Sequence, residues 1–190
     1  NGRGMVRNHT QAQLQDFSAG SWFGAEFRTE RVPTLAQALS AVGPNMIVCI
    51  EIKTGVPIME RIAADVLAAG LEERVVIFSF KPKQLVASKR ELPKVPTLLL
   101  VDPGPDRTYR YDTIVEKARS VRAELIGLDH AVADGPIVES LQDAGFPVFV
   151  YTVNAGTDVK RVVEFGVDGI ISNHPRATMS RTLRLRQVLK

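Results

Sequence analysis

From residue 32 onward, short runs of β-branched and other apolar residues alternate with longer stretches whose apolar positions recur at helical spacing. That alternation is the pattern of parallel βα units, in which strands covered on both faces read as near-continuous apolar runs. The runs at 46–52, 75–80, 97–101, 124–129, 147–153 and 169–172 predict six strands. The stretches between them carry helix signals. Thr34-Leu35-Ala36-Gln37 reads as a capping box, with the helix ending at Gly43-Pro44. In the next unit Pro57 suits the first helical turn, and Ile58, Ile62, Val66 and Leu67 form one apolar stripe. Gly70 supplies the left-handed residue that ends this helix, and Gly145 and Gly166 end later ones.

Two architectures fit six such units: an open doubly wound sheet, or part of a (β/α)8 barrel of the TIM type, which usually needs about 250 residues. Alternation along the first strand puts Ile47, Cys49, Glu51 and Lys53 on one face and Val48, Ile50 and Ile52 on the other. One face is wholly branched aliphatic; the other turns charged at its C-terminal end. In a barrel the aliphatic face packs on the outer helices and the charged pair points into the mouth, which favours the barrel over the open sheet.

The 190 residues suffice for one domain that buries roughly 70% of its unfolded surface. With 45% hydrophobic and 24% charged residues, the composition is that of an ordinary globular chain, and no apolar run reaches the length of a membrane span. No stable membrane insertion is expected. The one cysteine, Cys49, excludes an internal disulfide and a multi-cysteine zinc site, and its apolar neighbours predict a core position. Of the excess positive charge, five basic groups (Arg176, Arg181, Arg184, Arg186 and Lys190) fall in the last fifteen residues, leaving 19 basic against 21 acidic. A solvated basic helix face accounts for this, so no nucleic-acid partner is expected. No signal peptide is visible in the opening Asn1-Gly2-Arg3-Gly4, which says little about compartment; the cytoplasm is the expected one. Neither a Gly-x-Gly-x-x-Gly turn nor a Gly-x-x-x-x-Gly-Lys-Ser/Thr loop is present, which removes the main support for dinucleotide and P-loop readings.

Ile50-Glu51-Ile52-Lys53 places a carboxylate and an ammonium on one face at the end of an apolar strand. Charges there are expensive unless paired, hydrated or bound to a metal. Two readings remain open on spacing alone: a ligand to a hard divalent cation beside a contact for a phosphate group, or an ion pair that terminates the strand.

Further segments recur in a family order. Ala19-Gly20-Ser21-Trp22-Phe23-Gly24, Glu26-Phe27 and Val32-Pro33-Thr34-Leu35 precede Ile50-Glu51-Ile52-Lys53. Ser79-Phe80, Thr152-Val153-Asn154 and Gly166-Val167-Asp168-Gly169-Ile170-Ile171, with Asn173 and Pro175, follow it. In this order the chain resembles the glycerophosphodiester phosphodiesterase family from Gly2 to about residue 176. The resemblance implies an α/β fold, a TIM (β/α)8-type barrel with about six of eight βα units here. It also implies hydrolysis of glycerophosphodiesters to sn-glycerol 3-phosphate and an alcohol, a step of lipid and glycerol metabolism. A divalent metal, Ca2+ or Mg2+, would be held by three carboxylates, one of them Glu51, and Lys53 would be the active-site lysine. Two histidines would serve as general acid and base.

By the resemblance Phe80 and Tyr151 would line the pocket, Tyr151 standing where tryptophan is usual; packing in the core is the alternative for both. Trp22 and Phe23 belong to an excursion that would overhang the site, or plug its own loop. The family's opening His-Arg-Gly strand, Glu-x-Asp pair and His-Asp pair have no counterpart from Asn1 onward. The chain is therefore expected to form a single barrel domain over residues 1–190 without the first two strands, and to be inactive by itself. His9, His130 and His174 are expected in loops or on the surface. The alternative function is a non-catalytic barrel remnant or pseudoenzyme that binds phosphate esters or a protein partner.

Overall fold

The computed structural model describes residues 1–188 of the chain; Lys190, one of the five basic groups near the C-terminus, lies outside them. Six strands form: β1 (Val48–Glu51), β2 (Val75–Ser79), β3 (Thr97–Val101), β4 (Leu125–Asp129), β5 (Val148–Tyr151) and β6 (Gly169–Ile170). All neighbours are parallel and the sheet order is β1-β2-β3-β4-β5-β6. A doubly wound sheet reverses its order at a switch point, whereas this one never does. The sheet therefore curls in one direction, as six of the eight units of a TIM-type barrel.

Two short helices precede the sheet, α1 (Gln11–Gln15) and α2 (Leu35–Ser40). Five more connect the strands: α3 (Met59–Ala69), α4 (Pro82–Glu91), α5 (Tyr111–Ser120), α6 (Gly135–Asp143) and α7 (Gly156–Glu164). The last, α8 (Pro175–Val188), packs on α7. The capping box is present at Thr34 and Gln37, but α2 stops at Ser40, short of Gly43. Pro57 lies just outside α3, whose N-cap is Ile58, and Gly70 ends that helix at φ 63°. Gly145 and Gly166 also take positive φ.

Register and alternation divide the apolar residues into two sets. Ile77, Leu99, Ile126, Leu128, Val148 and Val150 face outward and pack with Val66, Leu85, Ala118, Val138, Leu141 and Val162 from the helices. Burying this set is the main force holding the helices to the sheet. Phe78, Leu98 and Leu100 face the lumen with Val76, Phe80, Leu125, Phe149 and Tyr151. Glycines make room there. A Cβ on Gly169 would lie 2.2 Å from the Phe149 ring, and one on Gly127 would lie 2.8 Å from both Leu98 and Leu100.

Three expectations of burial are corrected. Cys49 is exposed, because β1 lies at the sheet edge and its lumen-side residues have nothing packed over them among the described residues. The same position leaves Ile47 66% exposed and shortens the strand to begin at Val48. Leu67, placed in the α3 stripe, is exposed, since only Ile62 and Val66 of that stripe point fully at the sheet.

The N-terminal ends of the strands are tied by carboxylates. Glu124 accepts the Thr97 N–H at 2.8 Å and the Thr97 hydroxyl at 3.1 Å, and pairs with the buried Lys89, which also donates to the Val95 carbonyl at 2.9 Å. Asp168 does the same for β5, accepting the Val148 N–H at 2.7 Å and the Gln142 amide at 2.9 Å. Burial raises the Glu124 carboxyl pKa, but the hydrogen bond from Lys89, the Thr97 N–H and the Lys89 charge outweigh it, and the pKa is lowered overall. A carboxyl lowered by folding adds stability at neutral pH that is lost as pH falls through its folded value. Glu124→Gln is expected to cost about 2 kcal/mol at pH 7, because it leaves the Lys89 ammonium uncompensated. In urea unfolding the deficit should shrink as the buffer is taken below the ordinary carboxylate range; a pH-independent deficit would contradict this role.

Candidate active site

Parallel strands in unreversed order bring all six C-terminal ends to one rim. The β1 end carries the charged pair. Glu51 registers with Phe78, so its side chain stands on the lumen side, and the Lys53 Nζ lies 3.3 Å from its Oε2. The Lys53 side chain is 80% exposed and that of Glu51 33%, so the pair is open to solvent and to a ligand. An exposed ion pair of this kind contributes little to stability.

Buried polar groups hold the backbone beneath it. The Ile52 N–H donates to the Phe78 carbonyl at 2.8 Å, and the Ser79 hydroxyl donates to the Ile52 carbonyl at 2.7 Å. Gln84 donates to the Thr54 and Val56 carbonyls at 3.0 and 2.9 Å. Ser79 and Gln84 therefore fix the chain on either side of Lys53. Ser79 stood in the motif read for its phenylalanine, and Gln84 carried no signal, since its partners lie 28 and 30 residues away. Asn154 acts similarly across the rim, where its Oδ1 accepts the Asn173 N–H at 2.9 Å and so joins the ends of β5 and β6.

Phe80 and Tyr151 meet across the lumen, ring centroids 5.6 Å apart at 84°, an edge-to-face contact. Both are half-buried, so the pair forms a wall of the mouth. The Tyr151 hydroxyl donates to the Val101 carbonyl at 2.9 Å, and the Tyr109 hydroxyl donates to the same oxygen at 3.2 Å. The Tyr109 oxygen also accepts the Asp129 N–H at 2.6 Å. Burial first, then the charges of Tyr109, Asp102 and Asp129, pushes the Tyr151 hydroxyl well above the ordinary tyrosine range. At Tyr109 burial and the two carboxylates outweigh the Asp129 N–H, and the pKa is pushed up to about 12.

Trp22 stands apart from these groups. It is 80% exposed, bonds through its indole N–H to the Ala19 carbonyl at 2.9 Å, and packs edge to face on Phe23. Neither ring plugs the loop. His130 and His174 lie on the rim, but His130 is engaged by Arg161, which donates to its carbonyl at 2.7 Å, and His174 starts α8 through its own carbonyl. His9 rests against Phe17 in the opening segment.

Among the described residues, no group of three or more His, Cys, Asp or Glu side chains could hold a metal ion. Glu51 can offer one hard oxygen ligand, and these residues alone do not complete a metal centre.

A model of the glycerophosphoryl diester phosphodiesterase family matches residues 1–177. The chain is 29% identical over 187 residues to a glycerophosphodiester phosphodiesterase of Caldanaerobacter subterraneus, covering 95% of this chain and 74% of that one. Among solved structures it resembles an Oleispira antarctica phosphodiesterase in complex with the product sn-glycerol-3-phosphate, with a TM-score of 0.81 at 22% identity, covering 95% of this chain and 73% of that one. A glycerophosphodiester phosphodiesterase from Agrobacterium tumefaciens matches with a TM-score of 0.73 at 22% identity, covering 91% and 72% of the two chains. No helix among the described residues is long and apolar enough to cross a membrane.

The tyrosine pair makes the rim sensitive to alkali. Raised tyrosine pKa values add stability that is whole below about pH 10, the unfolded value, and is lost as pH rises through the folded one. A spectrophotometric titration should show two tyrosines holding their protons past about pH 11. Tyr109→Phe leaves the Asp129 N–H without its acceptor and should cost about 1–2 kcal/mol in urea unfolding.

Proposed function

The chain belongs to the glycerophosphoryl diester phosphodiesterase family, and from that premise we propose that the protein hydrolyses glycerophosphodiesters to sn-glycerol 3-phosphate and an alcohol. The observation that carries the reading is the open Glu51–Lys53 pair at the end of β1, on the same rim as the Phe80–Tyr151 wall. The product bound by the Oleispira antarctica phosphodiesterase supports the choice of substrate.

Each residue has a distinct role on this reading. Lys53 holds the negative phosphodiester and stabilises the further charge that gathers on its oxygens as the bond to the alcohol breaks. Its exposed ammonium is free to do so, since one solvent-exposed carboxylate is an easily displaced partner. Glu51 would offer one oxygen ligand to a hard divalent cation, calcium or magnesium, which would supply Lewis-acid chemistry at the phosphoryl group. Among the described residues no group of three or more His, Cys, Asp or Glu side chains completes such a site around Glu51. Phe80 and Tyr151 line the pocket, and the exposed Trp22 is assigned a substrate contact on the strength of the family resemblance alone.

Hydrolysis of glycerophosphocholine and glycerophosphoethanolamine by the full-length protein, with release of sn-glycerol 3-phosphate, tests the proposal directly. Glu51→Gln and Lys53→Met should each lower kcat/KM by about 10²–10³. Chelation should abolish turnover and added calcium or magnesium restore it. The 190-residue polypeptide assayed by itself should show no turnover. A folded, metal-supplied full-length protein that binds sn-glycerol 3-phosphate yet hydrolyses no glycerophosphodiester would establish the non-catalytic reading instead.

A further inference from the structure

Lys53 lies just past the end of an edge strand. Glu51 is the last residue of β1 in register with β2, and the Ile52 N–H makes one more bond, to the Phe78 carbonyl. Beyond it, among the described residues, no backbone hydrogen bond ties residues 53–57 to another element. A Cβ on Gly55 would have nothing within 4 Å, so the turn is open on that side as well. The lysine that is to meet the phosphate therefore stands on a stretch that the sheet does not hold.

What holds it is one side chain. Gln84, in the first turn of α4, is 3% exposed, and its Nε2 donates to the Thr54 carbonyl at 3.0 Å and to the Val56 carbonyl at 2.9 Å. Carbonyls only accept, so the amide nitrogen must face them and both of its hydrogens are used. The Thr54 hydroxyl accepts the Val56 N–H at 3.1 Å, which closes the turn above Gln84. The start of α4 is fixed in turn to the end of β2, since the Lys81 N–H donates to the Ser79 hydroxyl at 3.0 Å and the Gln84 N–H to the Lys81 carbonyl at 2.9 Å.

A buried amide is costly unless its polar atoms are used, and a methionine would fill a similar space without that cost. The two donors are therefore what this position contributes. A lysine carries its charge on a flexible four-carbon stem, so its ammonium is aimed only as well as its Cα is placed. Glu51 Oε2, 3.3 Å from the Lys53 Nζ, gives the far end of the stem a second fixed point. We propose that Gln84 is a positioning residue for Lys53: by holding the Thr54 and Val56 carbonyls it keeps the ammonium where charge gathers on the phosphoryl oxygens in the transition state. Attraction between an ammonium and a bound phosphodiester tolerates a spread of positions, whereas stabilisation of the transition state does not, so the contribution of Gln84 falls on kcat. The role of Lys53 rests on the phosphodiesterase reading above; the hold of Gln84 on residues 54–56 does not.

In the full-length protein Gln84→Met, which keeps a side chain of similar length and removes both donors, should lower kcat for glycerophosphocholine about tenfold and leave KM within about twofold. Gln84→Glu, which keeps the shape and sets acceptor against acceptor, should lose at least as much at neutral pH, so the outcome does not depend on one variant. The decisive comparison is made in Lys53→Met. There Gln84→Met should cost nothing further, because its effect passes through the missing ammonium. A tenfold loss in both backgrounds would mean a general structural role and overturn the proposal, as would an unchanged kcat or a loss confined to KM. Backbone 15N relaxation gives a readout that needs no turnover. Thr54, Gly55 and Val56 should lose order in Gln84→Met while Ile50 and Phe78 keep theirs; unchanged order at those three residues would overturn the proposal even if activity fell. If the parent hydrolyses no glycerophosphodiester, the phosphodiesterase reading fails, and the relaxation data alone decide whether Gln84 holds the segment that carries Lys53.

Discussion

Everything at the rim depends on the unbroken register of six parallel strands. In such a sheet each side chain inherits its face from the strand before it, so one slipped residue anywhere would turn Glu51, Tyr151 or Asp129 away from the lumen. The register is pinned at the opposite end of the strands. Glu124 and Asp168, each just before its own strand, reach across to the first N–H groups of the neighbouring β3 and β5. Those bonds are long in sequence, 27 and 20 residues, and short in space. The lumen adds a steric lock. Phe149 occupies the space over Gly169, and Leu98 and Leu100 that over Gly127, so a shifted pairing would set side chain against side chain.

The same economy governs the rim itself. A backbone that leaves a sheet exposes N–H and carbonyl groups that must find partners. Ser79, Gln84, Tyr109 and Asn154 provide them, and in doing so fix the segments that carry Lys53, Asp129 and the β6 end. Satisfying the chain ends and aiming the functional side chains are one act. Motif residues such as Ser79, Asn154 and Asp168 therefore bear on chemistry through the backbone they hold, without a reacting group of their own.

What the sequence made legible follows the range of the interactions. Apolar runs and capping boxes act over a few residues, and six strands, the Thr34 cap and the left-handed glycines stand where those signals put them. The facing of Glu51 was likewise readable from alternation. Cys49 was not, because alternation gives a face and says nothing of what covers it. The exposure of Trp22 and Leu67 escaped for the same reason. The roles of Glu124, Gln84 and Tyr109 were hidden more deeply: each rests on a partner twenty or more residues away, which composition and period cannot name.

The two ends of the strands differ in how they treat charge. At the N-terminal end Lys89 is buried against Glu124, and Arg74 spends its guanidinium on the Gly43, Pro44 and Met46 carbonyls at 2.9, 3.0 and 3.3 Å. Those groups are compensated and bring stability. At the rim Lys53 is four-fifths exposed, and the Asp102 and Asp129 carboxylates have no cationic partner among the described residues. Leaving like charges close together works against folding, by an amount that falls steeply with solvent screening. A sheet could avoid that cost by ending its strands on neutral turns, and the compensated end shows that this chain can satisfy its polar groups. The exposed Lys53 ammonium is therefore best understood through what approaches the rim, which on the phosphodiesterase reading is the negative phosphate of the substrate.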